Sequence, residues 1–419
     1  MDIHKEKELF LEIIETAADY YKYEPSHIEK DYYVTKILKE LSLTEYNGQV
    51  FFKGGTSLSK AYGLIHRFSE DLDMLTYTGD ITASKSKEKS LNKKTCDIII
   101  ESNNVMYKPE LSKVGGNFRK LYFDYDNNFE KNGLKQHLEV EIKACDLSDK
   151  SLIYYPNETK VINSIIGEFL NDINREDLIE QYGLEAFAIN CINPRRTICD
   201  KISRLVKLSY RDEPIEEFAK HIRDFYDLFA ILSKEEYKSF LNSEDFFEAM
   251  YRTTVEDQLM KNTKTDKPLN EALIFTNTDE ILSHPNVQKA YKEGLGSLFF
   301  ANSIMPLMDE IKQTIKNIAL VLPDFEKYRN KREKQIYESK NEYSSISIYP
   351  NNTNTQWFIR CKINSEQQCA KKLQIADVIA WNKLNKTGTL EEKETFKKTL
   401  ASTYYSDVID IKNNKTIKR

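Results

Sequence analysis

Two aspartates one residue apart, Asp71 and Asp73, close a segment that opens on a glycine turn. It runs Phe51-Phe52-Lys53-Gly54-Gly55-Thr56-Ser57-Leu58, passes Tyr62 and Arg67, and ends at Ser69-Glu70-Asp71-Leu72-Asp73. Leu72 and Met74 alternate with the aspartates, so both carboxylates project from one face of an extended segment. They then lie roughly 6–7 Å apart along the strand, a spacing that lets them share one or two divalent cations. Carboxylates drawn to ~4 Å without a cation would repel by about 4 kcal/mol at an effective dielectric of ~20. The glycines let backbone approach a bulky anion, and amide N–H groups at the start of a following helix point toward it. Thr56 and Ser57 add hydroxyl donors. Taken singly, a Gly-Gly-Thr-Ser is a turn and an Asp-x-Asp is a solvated strand face. In this order and within twenty residues they indicate phosphate and metal chemistry.

Elements to hold these residues are legible around them. Val50 to Phe52 read as a strand ended by the glycines, and Leu58, Ala61, Tyr62 and Ile65 recur at helical spacing. Upstream, Leu9, Phe10, Ile13, Ile14 and Ala17 make an amphipathic helix. A second helix follows Pro25, with Ser26 and Glu29 as a capping box and Tyr33, Ile37, Leu38 and Leu41 on its apolar side. Its Glu29-Lys30-Asp31 either complements the helix dipole or packs behind the glycine turn. Residues 80–100 carry Lys85, Lys87, Lys89, Lys93 and Lys94, a solvated surface or a phosphate-tracking patch for RNA. Residues 119–126 and 137–144 alternate, the first after Gly115-Gly116 and the second after Asn132-Gly133, and predict two antiparallel strands. The second places Leu138, Val140 and Ile142 on one face and Glu139, Glu141 and Lys143 on the other.

Beyond residue 150 the pattern predicts helices. Ile198, Ile202, Leu205, Val206 and Leu208 follow Pro194, with Asp200, Lys201, Arg204 and Lys207 opposite. A helix from about Glu216 carries Asp224 and Asp227 on one face. Phe300, Ile304, Leu307, Met308 and Ile311 form a further stripe, in which Pro306 marks a kink or a helix start. Residues 324–341 read as a charge-dense helix end, 344–363 as short strands, and 366–385 as a helix burying Cys369, Leu373, Ile375, Val378 and Trp381. The tail 413–419 reads as frayed.

The 419 residues, 40% hydrophobic and 30% charged, fit a globular protein of two or three folding units. No apolar run is long enough for a membrane span, and the charged N-terminus lacks a signal core, so a cytoplasmic protein without membrane contact is expected. Six scattered cysteines form no Cys-x-x-Cys, which points to reduced thiols rather than zinc. A net charge of −5 argues against a uniformly basic nucleic-acid coat but not against a local patch.

The glycine turn, short helix and Asp-x-Asp together resemble the signature of polymerase-β-like nucleotidyltransferases, and more narrowly the AbiEii/AbiGii toxin family of abortive-infection toxin–antitoxin pairs. Ile28-Glu29-Lys30-Asp31-Tyr32, the helix with Lys201 and the Arg223-Asp224-x-x-Asp227 helix resemble that family's other motifs. The resemblance implies an α+β fold: a nucleotidyltransferase core, a mixed sheet with flanking helices, followed by a mostly helical C-terminal domain. Its divisions would be N-terminal helices packing on the core at 1–45, the core at 46–165 and a helical domain at 166–330; 331–419 is either a further region or part of the helical domain. It further implies a Mg²⁺ (or Mn²⁺) site at Asp71, Asp73 and Glu141, with Glu139 as the alternative third carboxylate. Nucleotide contacts would fall to Lys53, Gly54, Gly55, Thr56, Ser57, Arg67, Lys201, Asp224 and Asp227. The activity implied is transfer of NMP from an NTP, GTP or CTP, to an RNA such as tRNA or to a protein, restrained by a separately encoded antitoxin. The alternatives are a non-toxin nucleotidyltransferase acting on RNA or a small molecule, and an inactive nucleotide-binding sensor.

Overall fold

The computed structural model describes residues 2–79, 84–102, 105–130, 133–144, 158–260, 273–300, 303–340, 344–353, 355–363 and 366–405. Asn132, Cys145, the Lys85 side chain and the tail 413–419 lie outside the described residues. The chain forms two compact units, Met1–Glu326 and Lys327–Arg419.

The first unit begins with helices α1 (Lys7–Tyr21) and α2 (Pro25–Ser42). Then come β1 (Val50–Lys53), α3 (Gly54–Lys60), β2 (Asp71–Thr76), α4 (Lys85–Glu101), β3 (Met106–Tyr107), β4 (Lys113–Gly115), β5 (Phe118–Asp124) and β6 (Leu138–Ala144). β7 (Glu158–Ile162), α5 (Ile165–Asp172), α6 (Glu176–Tyr182) and β8 (Phe187–Cys191) follow. These strands make one mixed sheet in the order β3-β5-β6-β2-β1-β8-β7, with β4 paired to β5. The β5–β6 pair is antiparallel, as its two alternating segments predict, while β2 and β6 run parallel. The apolar face of every central strand is buried: Phe52, Leu72, Met74, Val140, Ile142 and Cys191 share a core with Ile28, Ile37, Leu38 and Leu41 of α2. At about 25 cal/mol per Å², this burial is the main force fixing the opposite, polar face of β2 and β6 in register.

The helical reading directly past residue 150 is corrected here. β7 and β8 join the sheet, β8 parallel to β1 and β7 antiparallel to β8. Both are five residues long, and β7 has only Ile162 fully buried, so an edge strand left little apolar alternation to detect. The capping box at Ser26 and Glu29 is also corrected: Glu24 is the N-cap without a side-chain bond, Pro25 occupies the first turn, and Ser26 and Glu29 are buried.

Helices complete the unit: α7 (Pro194–Leu208), α8 (Pro214–Lys220), α9 (Ile222–Leu232), α10 (Glu235–Leu241), α11 (Glu244–Met260), α12 (Thr278–Ser283), α13 (Pro285–Lys289) and the first part of α14 (Met308–Lys340), whose residues from Lys327 on belong to the second unit. The helix expected from Glu216 is two helices broken at His221. The stripe from Phe300 is not one helix either, since Pro306 marks the start of α14 and Ile304 and Leu307 are exposed.

The second unit holds β9 (Ser344–Pro350), β10 (Trp357–Ile363), β11 (Glu366–Gln367), β12 (Lys371–Lys372), α15 (Ile375–Thr387) and α16 (Leu390–Tyr404). β10 is central, antiparallel to the other three. The helix read over 366–385 therefore begins only at Ile375, after two short strands, and Ile375 itself is 79% exposed.

Candidate active site

The register of β2 on β6 sets Asp71 beside Glu139 and Asp73 beside Glu141, and β5 adds Lys120 opposite Glu141. Four carboxylates thus share one sheet face, and two lysines hold three of them. Lys135 Nζ lies 2.8 Å from both Asp71 oxygens and 2.7 Å from Glu139 Oε2. Lys120 Nζ lies 3.0 Å from Glu139 Oε2 and 2.9 Å from Glu141 Oε1. Burial raises the Asp71 carboxyl against the opposing pull of Lys135, with Glu70 and Glu139 adding to the rise. Burial also lifts Asp73, to about 6: Lys53 and Arg204 pull it down, while Glu141 and Asp71 push it up. Glu139 is desolvated too, yet its two lysines hold it below the usual range.

The glycine turn is pressed onto this face. Lys53 ends β1 opposite Asp73. Gly54 has φ +77°, and a Cβ there would overlap Asp73 Oδ2; only glycine meets both conditions. A Cβ on Gly55 would come within 2.8 Å of Ser69 Oγ and 3.0 Å of Arg67 Nη2. Thr56 and Ser57 are buried in α3, and the Thr56 hydroxyl donates to the Asp71 carbonyl and can accept from the Ser69 hydroxyl, 3.0 Å away. It thereby ties the turn to the first residue of β2.

A buried chain of ion pairs braces the turn. Arg67 grips Asp227 with Nε at 2.8 Å and Nη2 at 2.7 Å. Lys201 Nζ lies 2.9 Å from Asp227 and 2.5 Å from Asp224, and Arg204 Nη1 lies 3.0 Å from Asp224. Desolvation opposes ionisation of both aspartates, but the cations outweigh it and hold Asp224 and Asp227 well below the usual carboxylate range. Asp227 is fully buried, whereas the Arg204 side chain is 53% exposed and sits in the electrostatic field of Asp73. The sequence favours this packing because Ile198, Ile202, Leu205 and Val206 bury one face of α7, leaving Lys201 and Arg204 along its flank. His66 and Phe68, which flank Arg67, have packing roles. The Tyr226 hydroxyl accepts from the His66 N–H at 3.1 Å, and Phe68 stacks on His27 at 4.6 Å.

Glu29, Lys30 and Asp31 lie behind the turn, each anchoring a different segment. Glu29 accepts from the Asn128 N–H at 3.0 Å and from its side-chain amide at 2.7 Å. Lys30, wholly buried, donates to Glu70 at 2.6 Å and to the Lys135 carbonyl at 2.9 Å. Asp31 takes Lys60 at the end of α3 and the Ile165 N–H at the start of α5. Glu70 also accepts from the Lys135 N–H at 2.8 Å. Lys30 thus positions Lys135, through Glu70 and through the Lys135 carbonyl.

Sequence reasoning missed Lys135, Lys120, Glu70 and Arg204 as parts of the site. Glu70 adjoins the aspartates and could have been included. Lys120 follows only from the β5–β6 register, and Lys135 precedes β6 in a loop that no periodicity describes.

The donor set suits a hard divalent cation in type, since carboxylates on adjacent strands are the usual oxygen ligands. Asp73, with a raised carboxyl and no direct ion pair among those described here, is the donor most in need of one. Among the described residues, however, no three His, Cys, Asp or Glu side chains already converge as a ligand set. The lysine clamps on Asp71, Glu139 and Glu141 account for that.

A face of carboxylates and cations beside a glycine turn serves a substrate whose charge must be countered from several sides, the demand of phosphoryl-type transfer. The class that meets it here is the nucleotidyltransferases. The family model described as "Nucleotidyl transferase AbiEii toxin, Type IV TA system" matches residues 36–331, and the chain belongs to that family. Its members are the toxin halves of toxin–antitoxin pairs, so the family implies a separate antitoxin partner. No curated protein matches the chain. Among the described residues, no helix is long and apolar enough to cross a membrane.

Proposed function

We propose that the protein is a toxin that transfers NMP from an NTP, GTP or CTP, to an RNA acceptor of the tRNA kind. The observation that carries this reading is the pairing of Asp71 with Glu139 and Asp73 with Glu141, with Gly54 packed against Asp73. Asp71, Asp73 and Glu141 would hold Mg²⁺ or Mn²⁺, which when bound supplies charge neutralisation at the transferring phosphate. Lys53 and the half-exposed Arg204 contact the triphosphate, and the backbone of Gly54-Gly55 approaches it closely. Lys201, Asp224 and Asp227 act as positioning residues: Asp224 fixes Arg204, and Asp227 fixes Arg67 beneath the turn. Because positioning and charge stabilisation drive such transfer, no protein nucleophile is required.

The test is incubation of the protein with each labelled NTP, Mg²⁺ and total tRNA. Label is expected in RNA with the native protein and not with Asp71→Ala or Asp73→Ala. Expression should arrest growth, and both substitutions should relieve the arrest. Equal labelling by the variants would overturn the assignment of the carboxylates, and labelling of proteins alone would overturn the RNA acceptor.

A further inference from the structure

We infer that the second unit, Lys327–Arg419, is a single-stranded RNA-binding module that uses the open face of its sheet. This concerns the acceptor side of the reaction above and rests on that reading only for what the bound RNA is for.

The first observation is charge segregation. Residues 327–419 contain 19 lysines and arginines against 10 aspartates and glutamates, which leaves 42 against 56 for residues 1–326. A chain with net charge −5 therefore carries a unit of +9 joined to one of −14. Such asymmetry is the electrostatic footprint of a polyanion partner. The family match ends at residue 331, so nearly all of this unit lies outside it.

The second observation is where the sheet puts its aromatic rings. On β9 and β10, Ile346, Ile348, Trp357, Ile359 and Cys361 pack with Leu400, Ala401 and Tyr405 in the core beneath α16. Side chains alternate along a strand, so Ser347, Tyr349, Phe358, Arg360 and Lys362 occupy the opposite face. The ladder sets Tyr349, Phe358 and Lys372 in one row across three strands, and Ser347 and Arg360 in the next. The Tyr349 and Phe358 rings stack, with centroids 6.1 Å apart at 28°, and the Arg360 guanidinium lies 5.7 Å from the Tyr349 centroid. Ser347, Arg360 and Lys372 are exposed, and the two rings are half-buried.

A stacked, half-buried pair of aromatics flanked by exposed cations suits flat, anionic ligands. Successive bases stack on such rings while cations track the phosphates. The exposed Ser347 hydroxyl offers a partner for a ribose 2′-hydroxyl. An acidic protein would satisfy the charges but would leave the stacked rings without flat partners.

The test is fluorescence anisotropy of the full chain with a labelled single-stranded RNA of about 12 nucleotides, without NTP or divalent cation. Tyr349→Ala and Phe358→Ala should each weaken binding roughly five- to hundredfold, and Phe358→Tyr should largely retain it. Arg360→Ala should lower the slope of log affinity on log salt by about 0.7. If an alanine variant loses its melting transition, Arg360→Ala and Lys372→Ala, whose side chains are exposed, carry the test instead. Unchanged affinity in all folded variants overturns the proposal. So does displacement of RNA by polyglutamate of equal charge, which would indicate an acidic protein partner, or equal affinity for single-stranded DNA. Native protein that binds RNA but transfers no label to it would overturn the enzymatic reading alone and leave the binding module standing.

Discussion

Asp227→Asn is the substitution that tests whether the ion-pair chain under the glycine turn works as a unit. Asp227 is fully buried, and it answers two cations, the bidentate Arg67 and the 2.9 Å contact to Lys201. The change preserves shape and removes one charge, leaving Arg67, Lys201 and Arg204 with Asp224 as their only buried aspartate. Breaking one partner of a buried pair typically costs about 3–5 kcal/mol, and a retained amide hydrogen bond would place the loss toward the lower value. Urea unfolding at pH 7.5 would measure it. Arg67→Met in the same chain removes one of the stranded cations, so the double variant should be more stable than the sum of the single losses by about 2 kcal/mol. Transfer activity should fall in Asp227→Asn although the residue touches no solvent, because Arg67 sets the position of Gly55. A single variant within about 0.5 kcal/mol of the native protein, or strict additivity in the double, would refute the network as described.

Two further outcomes follow from the same face. Gly54→Ala should abolish transfer and destabilise the unit by more than about 1 kcal/mol, since φ +77° and the Asp73 carboxylate both exclude a Cβ; a variant with native activity would show that the turn is not held as described. For Asp73, folding lifts the carboxyl from 3.8 to about 6. Between those values the folded chain holds the proton longer than the unfolded one, so stability falls as pH rises, by about 1–3 kcal/mol in all. Asp73→Asn should flatten that slope in urea titrations between pH 4 and 6, and should be more stable than the native chain at pH 7.5 while lacking transfer. A less stable Asp73→Asn at pH 7.5 would contradict the burial argument.

What the sequence made legible was whatever alternation or glycine geometry imposes locally. Leu72 and Met74 against Asp71 and Asp73, and Leu138, Val140 and Ile142 against Glu139 and Glu141, give both strands and both faces. The parallel register between them is not local, and it alone brings Asp71 to Glu139. Lys135 escaped notice for the same reason, since its position depends on Glu70 and Lys30, forty residues and more from each other and from it along the chain. β7 was hidden because a short edge strand buries few side chains, and β8, interior but five residues long, fully buries only Ile189 and Cys191. The strands of the second unit were legible at 344–363, but the pairing that sets Tyr349 beside Phe358 is a matter of register and not local.

The cations of the first unit fall into two sets with different work. Lys135 and Lys120 lie directly on the carboxylates, and Lys135 is fastened from behind by Glu70, itself fixed by Lys30. Arg67, Lys201 and Arg204 are held by Asp224 and Asp227, away from the strand carboxylates, and only Arg204 reaches outward. The first set keeps four like charges on one sheet face compatible with folding. The second set fixes the turn and offers a cation next to Asp73. The lysines of the first set do not pair with Asp73, and burial lifts its carboxyl to about 6 against the pull of Lys53 and Arg204. That residual penalty lies on the one carboxylate packed against the glycine turn, and a divalent cation bound there would relieve it. On this argument the folding penalty that Lys135 offsets in part at Asp71 stands without a direct ion pair at Asp73, where the proposed chemistry takes place.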